Sequence, residues 1–144
     1  MESPCHVVID AFGLTPESVE LLYDATALRG YISTITRWLH LTPVGEPTLQ
    51  PFPTKDGSQK ETYTATQVLS ESSITIHCYP EHRAVYIDIF SCKEFDTGVF
   101  FNVTKRFFEA ERVFLQRVKR ASIAEGGVAA APSPPLPLSS HHRD

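Results

Sequence analysis

The sequence predicts an α+β fold: a two-layer sandwich, with a mainly antiparallel sheet carrying two helices on one face. Three observations predict it. Several runs of strand length are rich in β-branched and aromatic residues, and some alternate with period two. Only two segments repeat their apolar residues at helical spacing. Two amphipathic helices cannot cover both faces of six or so strands, so helices on one face are the economical arrangement. The other face, carrying residues such as Val85 or Tyr86, then meets a partner subunit or water.

The elements follow in chain order. Residues 5–12 are β-rich, and Gly13 ends them. Thr15 caps a helix, with Pro16 at its first position and Glu17 at its positive end. Val19, Leu22, Ala25 and Leu28 continue it, and Gly30 predicts its stop. Residues 31–41, rich in β-branched and aromatic side chains, predict a strand. Pro43, Pro47, Pro51 and Pro53 leave room only for an edge strand near 48–52. A turn at Lys55-Asp56-Gly57-Ser58 introduces three strands, over 61–69, 73–79 and 84–90. In the second, Ile74 and Ile76 oppose Thr75 and His77; in the third, Val85, Ile87 and Ile89 oppose Tyr86, Asp88 and Phe90. Asp96 or Thr97 caps a second helix with its apolar face on Phe100, Val103, Phe107 and Ala110. Residues 112–119 form a last strand, placed at an edge by Arg117, Lys119 and Arg120.

Composition narrows the classes. A chain of 144 residues, 42% of them hydrophobic, supports one domain with one modest core. No run of about 18 apolar residues predicts a membrane span, and Met1-Glu2-Ser3-Pro4 lacks the pattern of an export signal. Cys5, Cys78 and Cys92 are odd in number and lack metal-ligand spacing, which favours reduced thiols in a cytoplasmic protein, with no metal. Thirteen basic against seventeen acidic residues give nucleic-acid binding no electrostatic footprint. No phosphate loop is visible. Residues 1–120 read as the domain; residues 121–144, with four of the eleven prolines and runs of Ala and Ser, read as a disordered tail.

Three segments carry candidate chemistry: residues 69–77 around Glu71-Ser72, then Tyr79-Pro80-Glu81, then 85–92 ending in Ser91-Cys92. A serine in a tight turn, a histidine five residues on and a cysteine ending a neighbouring strand could converge at one sheet end as nucleophile, base and thiol. Each residue alone reads more readily as structural: a turn serine, a strand-face histidine, a small buried hydrophobe.

Together the segments resemble the prokaryotic S-adenosylmethionine decarboxylases, a pyruvoyl-dependent family of spermidine and polyamine biosynthesis. Glu71-Ser72, His77, Tyr79-Pro80-Glu81 and Asp88-Ile89-Phe90-Ser91-Cys92 stand in the register of the family pattern, and 6–13 resembles its first strand and glycine turn. The resemblance covers most of 5–119. It implies a zymogen that cleaves itself between Glu71 and Ser72, leaving a pyruvoyl group derived from Ser72. His77 matches the processing histidine, and Thr64 stands where the family commonly has an assisting serine. The pyruvoyl carbonyl would form a Schiff base with the substrate amine and accept the electrons left by departing CO₂. Cys92 matches the proton donor. Glu71 and Ser73 are implied at the substrate site, and Phe12 is a candidate for stacking on adenine. A homodimer of processed chains is implied. Ser73 replaces the family's usual histidine, and Leu14 its frequent cysteine. Two further readings stay open: the same chemistry on ornithine or arginine, and an unprocessed regulatory or binding subunit. An aromatic platform for adenine, as against an extra carboxylate for a distal cation, discriminates between the substrates.

Overall fold

The computed structural model describes residues 4–127. Six strands form one sheet: β1 (Cys5–Leu14), β2 (Thr48–Pro53), β3 (Glu61–Leu69), β4 (Ser72–Tyr79), β5 (Ala84–Ser91) and β6 (Ala110–Val118). Their spatial order is β2-β3-β4-β5-β1-β6, and every neighbouring pair is antiparallel. Proline-rich β2 occupies one edge, where a missing N–H is tolerated, and basic β6 the other.

Period-two alternation decides which side chains enter the core. Val7, Ile9 and Ala11 of β1, Ile74 and Ile76 of β4, and Val85, Ile87 and Ile89 of β5 point to one side, all buried. Two helices, α2 (Ala25–Trp38) and α3 (Thr97–Phe108), meet them with Leu28, Tyr31, Ile32, Ile35, Phe100 and Phe108. Val85 therefore belongs to the covered side, and only Tyr86 of the two residues expected on the open face stands there. The open face also carries His6, Val8, Asp10, Phe12, Thr75, His77, Asp88, Phe90 and Phe114.

Several boundaries and one element differ from expectation. β1 continues through Gly13 to Leu14, and the left-handed Glu109 stops the second helix at Phe108, so Ala110, expected on that helix's apolar face, instead opens β6 two residues before its expected start. Thr15 does cap, accepting from the Ser18 N–H at 3.2 Å, but α1 (Pro16–Val19) ends early and passes into a 3₁₀ turn over Glu20–Tyr23. Asp24 then caps a new helix, accepting from the Ala27 N–H at 3.1 Å. That helix runs through Gly30, whose side faces open space, and takes up residues 31–38 of the segment expected as a strand over 31–41. The reason is period. Leu28, Tyr31, Ile32, Ile35 and Leu39 recur every three or four residues, and burying that stripe outweighs the modest β preference of Ile and Tyr. In α3 the buried positions are Phe100, Thr104 and Phe108, and the expected Val103 and Phe107 are partly buried beside them. Thr104 tolerates full burial because its hydroxyl bonds the Tyr31 phenol at 2.7 Å. Burial also holds the Tyr31 proton firmly on, so the phenol can donate at any physiological pH. Tyr31→Phe is expected to destabilise the fold by about 1–2 kcal/mol, read as a lower urea midpoint, because the Thr104 hydroxyl loses this partner.

No helix among the described residues is long and apolar enough to cross a membrane. Of the segment expected as a disordered tail, 121–127 includes the short helix α4 (Ile123–Gly127), and 128–144 lies outside the described residues.

Candidate active site

Strands β3 and β4 are joined by only two residues, Ser70 and Glu71, since Leu69 pairs with Ser72. Glu71 is left-handed, with φ 58°. That conformation favours glycine or asparagine and costs a glutamate on the order of 1 kcal/mol or more. The turn is braced from outside: the Ser70 N–H donates to the Thr42 carbonyl and the Val44 N–H to the Val68 carbonyl, each at 2.9 Å. The strained peptide unit is therefore held in place.

Two contacts act on the bond between Glu71 and Ser72. The Cys92 N–H donates to the Glu71 carbonyl at 3.2 Å. The Ser72 hydroxyl donates to Ser91 Oγ at 2.9 Å, with the Ser70 carbonyl a longer alternative at 3.3 Å. A hydroxyl and the preceding carbonyl thus each have a hydrogen-bond partner, and the carbonyl oxygen already meets a donor of the kind that an attack on that carbonyl would need. Ser70, Glu71, Ser72, Cys92 and Lys93 line a cavity of about 240 Å³ with Leu41 and Thr42. Of the three thiols, Cys5 and Cys78 are buried, and burial pushes Cys78 up to about 12 despite a hydrogen bond from Thr62. Cys92 is the partly exposed thiol, and it lies in the cavity with Ser72.

The remaining candidates stand elsewhere. His77 lies five residues beyond Ser72 on β4, an odd step, so the two side chains project from opposite faces. Along an extended strand the separation is roughly 16 Å. Thr64 is directly opposite His77 on β3, and Tyr86 opposite it on β5. Phe12 and Thr64 line a second, larger cavity of about 780 Å³ with Phe52, Tyr79, Glu81, His82 and Tyr86. Its rings form a connected edge-to-face set, Phe12 against Tyr86 at 5.8 Å and Tyr86 against Tyr79 at 5.4 Å. Ser73 is exposed on the open face and lines neither cavity. One chain therefore gathers Glu71, Ser72 and Cys92 at a sheet end, and separately gathers Thr64, His77 and Phe12 on the open face.

Three features were missed at the sequence level. The Cys92 backbone N–H leaves no trace in residue type. Ser91 is recoverable, because pairing Tyr79 with Ala84 at the hairpin fixes the register and puts Ser91 opposite Ser72. The aromatic cavity draws Phe52 from an edge strand whose pairing the sequence leaves open.

Fold and site together define a two-layer α+β protein in which a serine hydroxyl, a hydrogen-bonded carbonyl and a partly exposed thiol are gathered around a single peptide bond. The sequence model of the S-adenosylmethionine decarboxylase family matches residues 5–121. The chain belongs to the S-adenosylmethionine decarboxylase family. Among solved structures, the adenosylmethionine decarboxylase from Aquifex aeolicus VF5 superposes with a TM-score of 0.64 at 15% identity, covering 84% of this chain and 92% of that one. At that identity the likeness is one of fold. No match was found among the curated proteins.

Proposed function

We propose that the chain is a self-processing S-adenosylmethionine decarboxylase that cuts itself between Glu71 and Ser72 and carries a pyruvoyl group made from Ser72. The observation that carries this reading is the Glu71–Ser72 peptide unit itself: strained, its carbonyl held by the Cys92 N–H and its hydroxyl held by Ser91. In the first step the Ser72 Oγ–Glu71 carbon bond forms, the bond from that carbon to the Ser72 nitrogen breaks, and the hydroxyl proton ends on that nitrogen. A base then takes the Cα proton of residue 72, and the Glu71 carboxylate leaves. Water releases ammonia, and the chain becomes 1–71 and a fragment beginning at 72.

The residues present suit the group they would make. A pyruvoyl group supplies an electron sink for the loss of CO₂. Cys92, in the same cavity, is the thiol able to return a proton to substrate carbon. Cys92→Ala should therefore still cleave, since its backbone N–H remains, yet decarboxylate about 10²- to 10⁴-fold more slowly. Chain cleavage on a gel and CO₂ release from carboxyl-labelled substrate separate the two effects.

The large cavity holds one carboxylate, Glu81, but four aromatic rings, and the weight of that platform favours S-adenosylmethionine over ornithine or arginine. Phe12, Phe52, Tyr79 and Tyr86 suit a flat heteroaromatic base and a sulfonium, and Glu81 offers two acceptor oxygens to ribose hydroxyls. That cavity and His77 need a second chain to reach Ser72. A two-fold partner laid on the open face would cover the exposed Val68, Tyr79, Tyr86, Phe114 and Val118 and carry its His77 and Thr64 toward this chain's Ser72. We therefore place the activity in a homodimer, in a reducing cytoplasm that keeps Cys92 a thiol. The test is intact mass after expression, borohydride trapping with labelled S-adenosylmethionine, and CO₂ release from a panel that includes ornithine and arginine. A purified chain that stays whole and offers no trappable carbonyl sinks the reading, and release from ornithine or arginine alone replaces the substrate.

A further inference from the structure

We infer that Ser91 is a positioning residue for the rearrangement at Glu71–Ser72, an inference that rests on the self-processing reading. Three serine and threonine side chains among the described residues are completely buried: Thr62, Thr104 and Ser91. The first two are spent on the fold, Thr62 on the Leu22 carbonyl at 2.6 Å and Thr104 on Tyr31. Ser91 is bonded instead to the residue that would act as nucleophile.

Its oxygen takes two donors, the Ser72 hydroxyl at 2.9 Å and the Lys93 N–H at 3.1 Å. The Lys93 bond ties the Ser91 side chain to its own backbone just past β5, so the acceptor stays put. β4–β5 pairing sets Ser72 directly opposite it. A hydroxyl has one proton. Pointing that proton at Ser91 fixes the Ser72 side-chain rotamer and leaves the oxygen lone pairs free for the Glu71 carbon. The competing acceptor, the Ser70 carbonyl, lies farther off at 3.3 Å. Without Ser91 the hydroxyl turns to that carbonyl or to water and loses its aim. Cys92, the next residue, donates its N–H to the carbonyl under attack. Two consecutive residues at the end of one strand therefore serve the two partners of one bond-forming step: Ser91 aims the nucleophile and Cys92 polarises its target. Ser91 keeps its own proton throughout, so the step balances as written above.

The test compares wild type, Ser91→Ala, Ser91→Cys and Ser91→Thr, following conversion of the intact chain to its fragments by mass after a synthesis pulse. Cysteine keeps the volume but accepts poorly, and threonine keeps the hydroxyl. Hydroxylamine, which cleaves an ester at residue 71 but not an amide, identifies the stalled species. Alanine and cysteine should slow cleavage on the order of 100-fold, as misaimed groups do. The chain that accumulates should be hydroxylamine-resistant, and threonine should restore cleavage. Wild-type cleavage rates in Ser91→Ala overturn the inference. So does a hydroxylamine-sensitive intermediate, which would move Ser91 to a later step, or equal slowing in all three, which would make it a packing residue. A wild type that never cleaves fails the underlying reading itself, and the parallel wild-type arm tells that failure from the others.

Discussion

Ser72→Ala is expected to stay one chain of 144 residues and to release no CO₂ from S-adenosylmethionine above background, a loss of roughly a million-fold or more. The substitution removes the hydroxyl that follows the Glu71 carbonyl directly and, in the same stroke, the source of the carbonyl group that decarboxylation needs. Its structural effect should be small. Ser72 is only partly buried, and the hydrogen bond it gives up is worth about 1 kcal/mol. Ser91 keeps its other partner, the Lys93 N–H. A melting temperature close to that of the unprocessed wild-type chain, together with an uncut mass, would separate loss of chemistry from loss of fold. Ser72→Cys sharpens the experiment. A thiol still attacks and transfers the acyl group, so that chain should cleave slowly, whereas alanine should not cleave at all. Cleavage in Ser72→Ala would mean that the bond breaks by another route, and the proposal would not survive it.

Most of the fold is legible in the sequence because most strands advertise themselves by alternation. The strand over 61–69 has the bounds expected, 73–79 and 84–90 gain one residue each, and Asp96 caps α3. Residues 31–41 fail for a physical reason. Tyr31, Ile32 and Ile35 have β-forming side chains arranged at helical spacing, and only the helices' contact with the sheet settles which property wins. The site is half legible. Residue types and spacing point to Ser72 and Cys92, the family resemblance adds Glu71, and the structure brings these three together. Spacing also tempts one to group His77 with Ser72. Yet five is an odd number, and on a strand an odd step changes face. That much is available from the sequence once 73–79 is read as a strand. What is not available is the consequence, since it depends on what covers the open face.

Separate faces make a sharp expectation about chains mixed in one cell. His77→Ala, expressed alone, should cleave very slowly or not at all if His77 serves processing, and Ser72→Ala should not cleave. Neither makes a working site by itself. If the open faces of two copies pack about a two-fold axis, a hybrid dimer contains one complete site, in which Ser72 of the His77→Ala chain meets His77 of the Ser72→Ala chain. Random pairing of equal amounts puts about half of the His77→Ala chains into hybrids, so about half of them should be cut. The Ser72→Ala chains should remain whole. A size tag on one chain reads this directly. The alternative, that β4 bends enough within one chain to bring His77 to Ser72, must break the β4 pairings with both β3 and β5, which run in register through Ile74 and Ile76 in the middle of the core. Opening that ladder forfeits several hydrogen bonds and exposes side chains worth about 1.5–3 kcal/mol each. Complementation in the hybrid is therefore the expected result. Its absence, with both chains folded and paired, would remove the action of His77 across the two-fold axis, whereas full cleavage of His77→Ala expressed alone would remove His77 from processing and leave the cut to be driven by the strained Glu71, the Ser91-bound hydroxyl and the Cys92 N–H.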